Sequence, residues 1–318
     1  MNIFAEAAAI ARAGRPADAV KFIEDAAERG DPEGHVIVAH WLLYGSDRPR
    51  DVTAARRHLE LAADQGKSDA IRILAHLTAS GTGCERDREQ ALQMLQQIAD
   101  VDRLAADELA LLPRMMSDGD AANAPRERLS SDPSIEIVHD LLLPEERAYL
   151  MRRAEPLLKP SLVDDPVRGR GVPDPIRTSH GAAFVPHDED LVIQQINRRI
   201  ATASGTEVSH GEALYVMRYE PGQEYRPHHD ALAGLRNPRR WTAIFYLNDD
   251  YEGGETVFPD LSISIRGRAG DLLIFRNVDA EGRPHPKMLH AGQPVTRGAK
   301  WIATRWIRGA PHDPYDRG

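Results

Sequence analysis

A two-domain α+β chain is predicted: an N-terminal α-solenoid, then an antiparallel double-layer β-fold of the jelly-roll or cupin type with supporting helices. Three observations predict it. Alanine, leucine and glycine recur with a 36-residue period through the N-terminal third. Short apolar runs punctuated by glycine fill the C-terminal half. Between the two, a polar stretch containing proline breaks the periodicity. At 318 residues the chain is long enough for both domains to bury a core. The expected boundaries are a helical repeat domain over 1–112, a linker over 113–134, a β-domain over 135–312 and a tail over 313–318.

The repeat is read by superposition. Ala26-Ala27-Glu28-Arg29-Gly30-Asp31 returns as Ala62-Ala63-Asp64-Gln65-Gly66-Lys67, and the same offset carries Ala39-His40 to Ala75-His76, Gly45 to Gly81 and Arg50-Asp51 to Arg86-Asp87. Small residues let helices approach closely, Ile23, Leu59 and Leu95 fill the seam, and the glycines end helices where a left-handed backbone is needed. Two amphipathic helices per period in the mid-thirties are the signature of an α-solenoid. The pattern resembles Sel1-like repeats, relatives of the tetratricopeptide type, over about residues 5–112. That likeness implies a surface for a protein substrate or partner, or else a structural cap on the rest of the chain. His40 and His76 read as packed helix residues, not as ligands.

The linker is marked by Pro113, Gly119, Ala124-Pro125 and Ser130-Ser131-Asp132-Pro133. Ile135-Glu136-Ile137-Val138 then alternates as a strand does. Leu143-Pro144-Glu145-Glu146 opens a helix with proline and acids in its first turn, and a second helix is expected near Leu191–Ala203. The stretch 164–174 between them is too rich in glycine, proline and charge for regular structure, and reads as a surface loop or a lid. Strands follow at 212–219, 241–247, 256–258, 262–265, 271–275 and 300–307.

Composition narrows the function classes. Apolar content of 42% and charged content of 28% are those of an ordinary soluble protein. A formal net charge of −9 argues against a nucleic-acid binder, and no apolar run reaches the roughly 18–20 residues that span a bilayer. The single cysteine, Cys84, cannot form an internal disulfide and reads as a buried thiol in a reducing compartment. With an acid where a signal peptide wants bases, Met1–Glu6 leads to a cytoplasmic expectation.

The chemistry is expected at Tyr219-Glu220-Pro221-Gly222-Gln223-Glu224-Tyr225-Arg226-Pro227-His228-His229-Asp230. Residues two apart on a strand face the same way, so His228 and Asp230 share a face and His229 looks away. An imidazole and a carboxylate side by side are two thirds of a facial triad. His58-Leu59-Glu60, His187-Asp188-Glu189 and His210-Gly211-Glu212 carry the same spacing without evident meaning. What sets His228 and Asp230 apart is a second stretch, His290-Ala291-Gly292-Gln293-Pro294-Val295-Thr296-Arg297-Gly298-Ala299-Lys300-Trp301, which supplies a histidine and then a lysine. His229 and His285 compete as ligands, but the first has the wrong parity and the second lies in a turn-like Arg283-Pro284-His285-Pro286.

With Leu247-Asn248, Gly253-Gly254-Glu255-Thr256 and Gly270-Asp271 in order between them, residues 133 to 310 resemble the prolyl 4-hydroxylase branch of the Fe(II)- and 2-oxoglutarate-dependent dioxygenases. The resemblance implies a double-stranded β-helix, Fe(II) held by His228, Asp230 and His290, and 2-oxoglutarate and O2 as co-substrates, with ascorbate as a candidate reductant. It implies an ion pair from Lys300 to the C5 carboxylate of 2-oxoglutarate. Tyr219 and Tyr246 fall where hydroxyls contact the co-substrate, and Thr304 points into the same pocket by parity. Tyr225, Arg177, one of Arg239 and Arg240, and Trp306 fall on the substrate side. The implied reaction is hydroxylation of a protein or peptide, at proline first. Alternatives are another residue, a free amino acid or a peptide natural product, or a scaffold without catalysis.

Overall fold

The computed structural model describes all residues except 1, 2, 166–169, 174, 175, 186, 232, 233, 235 and 314–318, with backbone alone at 162–165 and 170–173. The tail expected at 313–318 lies almost wholly outside these residues. The chain divides into two compact units, one of Met1–Arg114 with Pro186–Gln194, the other of Met115–Val185 with Gln195–Asp316.

The first unit is helical: α1 (Ile3–Arg12), α2 (Pro16–Glu28), α3 (Pro32–Tyr44), α4 (Val52–Ala63), α5 (Ser68–Ser80), α6 (Arg88–Ile98) and α7 (Arg103–Leu111). The α3–α4 pair returns as α5–α6 at the period the sequence shows. Asp51 and Asp87 each cap the following helix by accepting from the third backbone N–H beyond, which stabilises each start by about 1 kcal/mol. Gly45 and Gly81 end α3 and α5 at φ 66° and 79°, where a side chain would be strained. Ala39, Ala55, Leu59, Ala75, Ala91 and Leu95 are fully buried along the seams. His76 is packed as expected and bonds Glu108 at 2.9 Å, and Glu108 also accepts from the backbone N–H of Leu191. Cys84 differs from expectation: it is half-buried at the end of a helix hairpin, not a core thiol.

The second unit holds α8 (Asp118–Ala122), α9 (Pro144–Ala154) and most of α10 (Leu191–Ser204). Its first strands are β1 (Arg126–Ser131), β2 (Ser134–Val138), β3 (Lys159–Pro160), β4 (Leu162–Asp165), β5 (Arg170–Pro173) and β6 (His180–Phe184). Next come β7 (Leu214–Tyr219), β8 (Tyr225–His228), β9 (Arg239–Tyr246), β10 (Glu252–Gly253) and β11 (Thr256–Phe258). The last are β12 (Ile263–Ile265), β13 (Leu272–Arg276), β14 (His290–Gly292), β15 (Val295–Arg297) and β16 (Lys300–Arg308). An eight-stranded sheet in the order β1-β2-β13-β9-β16-β7-β6-β3 and a four-stranded sheet in the order β12-β11-β14-β8 form the two layers of a double-stranded β-helix. Ile135, Met217, Ile244, Phe258, Phe275 and Ile302 fill the core, each contributing on the order of 1.5–3 kcal/mol by burial.

Two expectations are corrected. The linker expected at 113–134 contains β1, which pairs with β2 at the edge of the larger sheet. Its sequence, Arg-Glu-Arg-Leu-Ser-Ser, hides this because both faces of an edge strand can stay wet; only Leu129 packs on the core, so no alternation is written. The stretch expected to lack regular structure, 164–174, contributes to an antiparallel ribbon that pairs Leu162–Asp165 with Arg170–Pro173. Two-stranded pairing through backbone groups asks little of side-chain pattern. The lid reading falls on residues 166–169 and 174, outside those described.

Candidate metal and co-substrate site

The smaller sheet sets His228 and His290 opposite one another, as cross-strand partners in β8 and β14. His228 ends its strand, and the chain bends at Asp230, so strand parity alone does not bring the carboxylate round. His228 Nε2 lies 3.6 Å from Asp230 Oδ1 and His290 Nε2 lies 3.5 Å from Asp230 Oδ2. Among the described residues, these three form the one group of metal-ligating side chains with ligand atoms within 4.8 Å of one another. His229 is not part of it, and His285 caps the short turn Pro286–Met288 by accepting from Lys287.

Backbone carbonyls decide the tautomers. His228 Nδ1 is 2.8 Å from the carbonyl of Arg226, and His290 Nδ1 is 3.0 Å from that of Met288. A carbonyl only accepts, so both Nδ1 atoms carry hydrogen, and in the neutral rings both Nε2 lone pairs face the carboxylate. Three acceptors thus converge with no hydrogen among them, an arrangement that a cation relieves. Burial pushes the Asp230 carboxyl up, but the imidazoles of His290 and His228 in their charged form, together with the Thr242 hydroxyl, outweigh it and hold the group well below the usual carboxylate range. Burial lowers His290, and the Asp230 charge opposes it. Two neutral imidazoles and one carboxylate, with no thiolate among them, fit Fe(II) bound on one face with positions left open.

Asp230 is oriented by residues that sequence reasoning missed. The hydroxyl of Thr242 donates to Asp230 Oδ2 at 2.6 Å, and Asn277 Nδ2 donates to that hydroxyl at 2.8 Å. Because Asn277 occupies a lone pair of Thr242 Oγ1, the hydroxyl hydrogen is left to point at Asp230. All three are at most 5% exposed.

Lys300 opens β16 opposite Tyr219 and is 4% exposed. Its ammonium donates to the carbonyl of Gly254 at 2.6 Å, and no ion pair forms on it among the described residues. Gly254 lies at φ 69°, and a Cβ there would meet the Lys300 Cδ at 3.2 Å, so this close seat wants glycine. Burial lowers the Lys300 pKa to about 8, with the Glu255 charge opposing. The hydroxyl of Thr304 is buried without a partner nearby. One cavity of about 40 Å³ is lined by the triad, Lys300, Thr304, Tyr219, Tyr225 and Trp306 together with apolar Met217, Ile244 and Ile302.

Not every expected residue borders that cavity. Tyr246, expected at the co-substrate, is fully buried and donates its hydroxyl to Thr256 Oγ1 at 3.0 Å, behind the wall. Tyr225 stacks on His228 with ring centroids 3.5 Å apart. Arg177 is bridged to Tyr225 through the backbone and lies 5.5 Å over its ring. An irregularity sets Arg239 and Arg240 apart: register shifts between Ile307 and Arg308, so Arg240 becomes an extra residue in β9. Arg239 is thereby turned 4.1 Å over Trp306 and held by both oxygens of Glu212, while Arg240 is exposed.

Residues 214–308 match the family described as the 2OG-Fe(II) oxygenase superfamily, and residues 32–67 and 68–101 each match the Sel1 repeat. The chain is 39% identical over 236 residues to Prolyl 4-hydroxylase 1 of Arabidopsis thaliana, a match covering 68% of this chain and 81% of the relative. It is 36% identical over 205 residues to Probable prolyl 4-hydroxylase 3 of the same plant, covering 57% of this chain and 71% of the relative. A viral collagen prolyl hydroxylase from Paramecium Bursaria Chlorella virus-1, solved as a 2OG complex, is 29% identical, with 55% of this chain and 96% of the viral one covered at a TM-score of 0.46.

Proposed function

The chain belongs to the prolyl 4-hydroxylase family of 2-oxoglutarate- and Fe(II)-dependent oxygenases, and from that premise we propose that it hydroxylates prolyl residues of a protein or peptide. One observation carries the reading to this chain's own residues. A single cavity joins three converging acceptors at one end to a buried ammonium at the other.

With Fe(II), 2-oxoglutarate and O2 bound, the chemistry supplied is oxidative decarboxylation to succinate and CO2, one oxygen atom entering succinate and the other the substrate C–H bond. His228, Asp230 and His290 hold the metal, and Thr242 keeps the carboxylate turned toward it. Lys300 takes the C5 carboxylate of 2-oxoglutarate, and the Thr304 hydroxyl has a hydrogen bond to give it. Met217, Ile244 and Ile302 exclude water from that end. Tyr225 and Trp306, backed by Arg177 and Arg239, line the side at which a peptide enters. The repeats bind the protein substrate or a partner. Ascorbate as reductant and a cytoplasmic location belong to the same proposal. The latter is supported by one half-buried cysteine and tested by cell fractionation.

The test is succinate release with Fe(II) and 2-oxoglutarate in the presence of proline-rich peptides, followed by tandem mass spectrometry. A gain of one oxygen atom on proline, stoichiometric with succinate, is expected. Stoichiometric oxygen on a different residue type would overturn the assignment of proline, and no 2-oxoglutarate-dependent succinate at all would overturn the enzyme.

A further inference from the structure

The repeat provides an internal control for its own seams. At the period of 36, α3 superposes on α5 and α4 on α6, so that His35 corresponds to Ile71 and His58 to Met94. Ile71 and Met94 pack against one apolar cluster, as residues on facing helices of a solenoid should. The first repeat has two imidazoles where the second has this apolar pair. Their Nδ1 atoms face each other at 2.9 Å, with ring planes tilted by 56°. His35 is 6% exposed. Glu24 and Glu28 line the same surface cavity as the two histidines, and Glu24 is engaged by Arg48.

Packing does not call for this exchange, since Ile and Met serve at the equivalent seam. Two imidazoles facing through like atoms can share only one hydrogen. Two nitrogens bound at about 2.0–2.1 Å to one tetrahedral ion stand roughly 3.3 Å apart, so an opening of a few tenths of an ångström would seat an ion between them. Ligands contributed by facing helices are how helical folds build metal sites, and imidazole suits the later first-row divalent ions.

We infer that His35 and His58 form a second metal site, in the first repeat, for a borderline divalent ion of the Zn(II) class, with water completing the coordination. The ion clasps α3 to α4 and has no part in oxygen chemistry. This inference stands apart from the proposed hydroxylase activity.

The experiment uses the full chain stripped of metal, with Zn(II) as the probe in equilibrium dialysis and Co(II) as the spectroscopic reporter. Two Zn(II) equivalents are expected, of which His228→Ala/His290→Ala removes one. His35→Ile/His58→Met, which installs the pair the second repeat already carries, removes the other and leaves Fe(II)- and 2-oxoglutarate-dependent succinate release within about twofold. The milder His58→Gln should weaken that equivalent at least tenfold, a second route if the double variant folds poorly. A plain imidazole–imidazole hydrogen bond predicts otherwise: one equivalent in the parent chain, or the same binding in both repeat variants. Either result overturns the site.

Discussion

At one end of the cavity, Asp230 and the two Nε2 atoms turn acceptors toward a common point, each held by a hydrogen bond on its far side. At the other end, Lys300 brings three donors into a buried setting with one carbonyl, that of Gly254, to receive them. The first end is complete but for a cation, the second but for an anion. The difference teaches how the chain keeps both charges in place before either ligand arrives. The acceptor end relies on orientation fixed through neighbouring side chains and carbonyls. The donor end relies on burial, and its charge is therefore conditional.

The largest effect should come from breaking the acceptor end. His228→Ala, Asp230→Ala and His290→Ala should each lower succinate release at saturating iron by at least about a thousandfold, since metal chemistry is lost outright. His229→Ala should stay within about threefold. An inactive His229→Ala with an active His228→Ala would reverse the assignment.

Next comes the donor end. Lys300→Ala should weaken 2-oxoglutarate binding by about 30- to 1000-fold, the loss of a buried charge pair at about 2–4 kcal/mol, with metal affinity nearly unchanged. Anaerobic titration of the Fe(II)–2-oxoglutarate absorption band reads this. Burial sets the pKa of Lys300 near 8 in the ligand-free chain, so the carboxylate meets a charged partner below that pH and a neutral one above it. Affinity should then fall toward tenfold per pH unit above about 8, with proton uptake on binding, and Lys300→Ala should lose that slope. Stability runs the other way. Between about 8 and 10.5 the unfolded chain binds the proton that the folded, ligand-free chain releases, so stability contributed by this group rises with pH across that window and the penalty is fully present below 8. A pH-independent affinity would mean that Lys300 keeps its charge by another route.

Smaller effects sharpen the contrast. Thr242→Val keeps the shape and removes the hydrogen bond to Asp230, so Fe(II) or Mn(II) affinity should fall by about 10- to 100-fold and return in Thr242→Ser. Unchanged affinity would make Thr242 a packing residue. Tyr246→Phe is expected to cost about 1 kcal/mol of stability and to leave 2-oxoglutarate binding within a few-fold, since its hydroxyl is spent on Thr256. A tenfold loss would return Tyr246 to the co-substrate, as the sequence alone suggests.

The sequence by itself determined the parts written in residue type and spacing. The period of 36 is such a part, with Ile23, Leu59 and Leu95 in its seam, since a seam residue acts within one or two turns of its own helix; that the recurring Asp51 and Asp87 cap their helices is seen in the structure. The order of His228, Asp230, His290 and Lys300 is another such part, rare side chains set on strands or just beyond their ends. Tertiary structure decided what depends on two distant segments meeting. Thr242 and Asn277 are an ordinary hydroxyl and amide until β9 and the end of β13 bring them behind Asp230. Arg239 and Arg240 are equivalent in sequence, and a one-residue irregularity opposite Ile307 and Arg308 separates their faces. Edge strand β1 writes no alternation because water can cover both its sides. His58 shows no partner in its own spacing to Glu60; the partner is His35, on the neighbouring helix. Local pattern records what a residue does for its own helix or strand, whereas cross-chain contacts are fixed only when packing selects which faces meet.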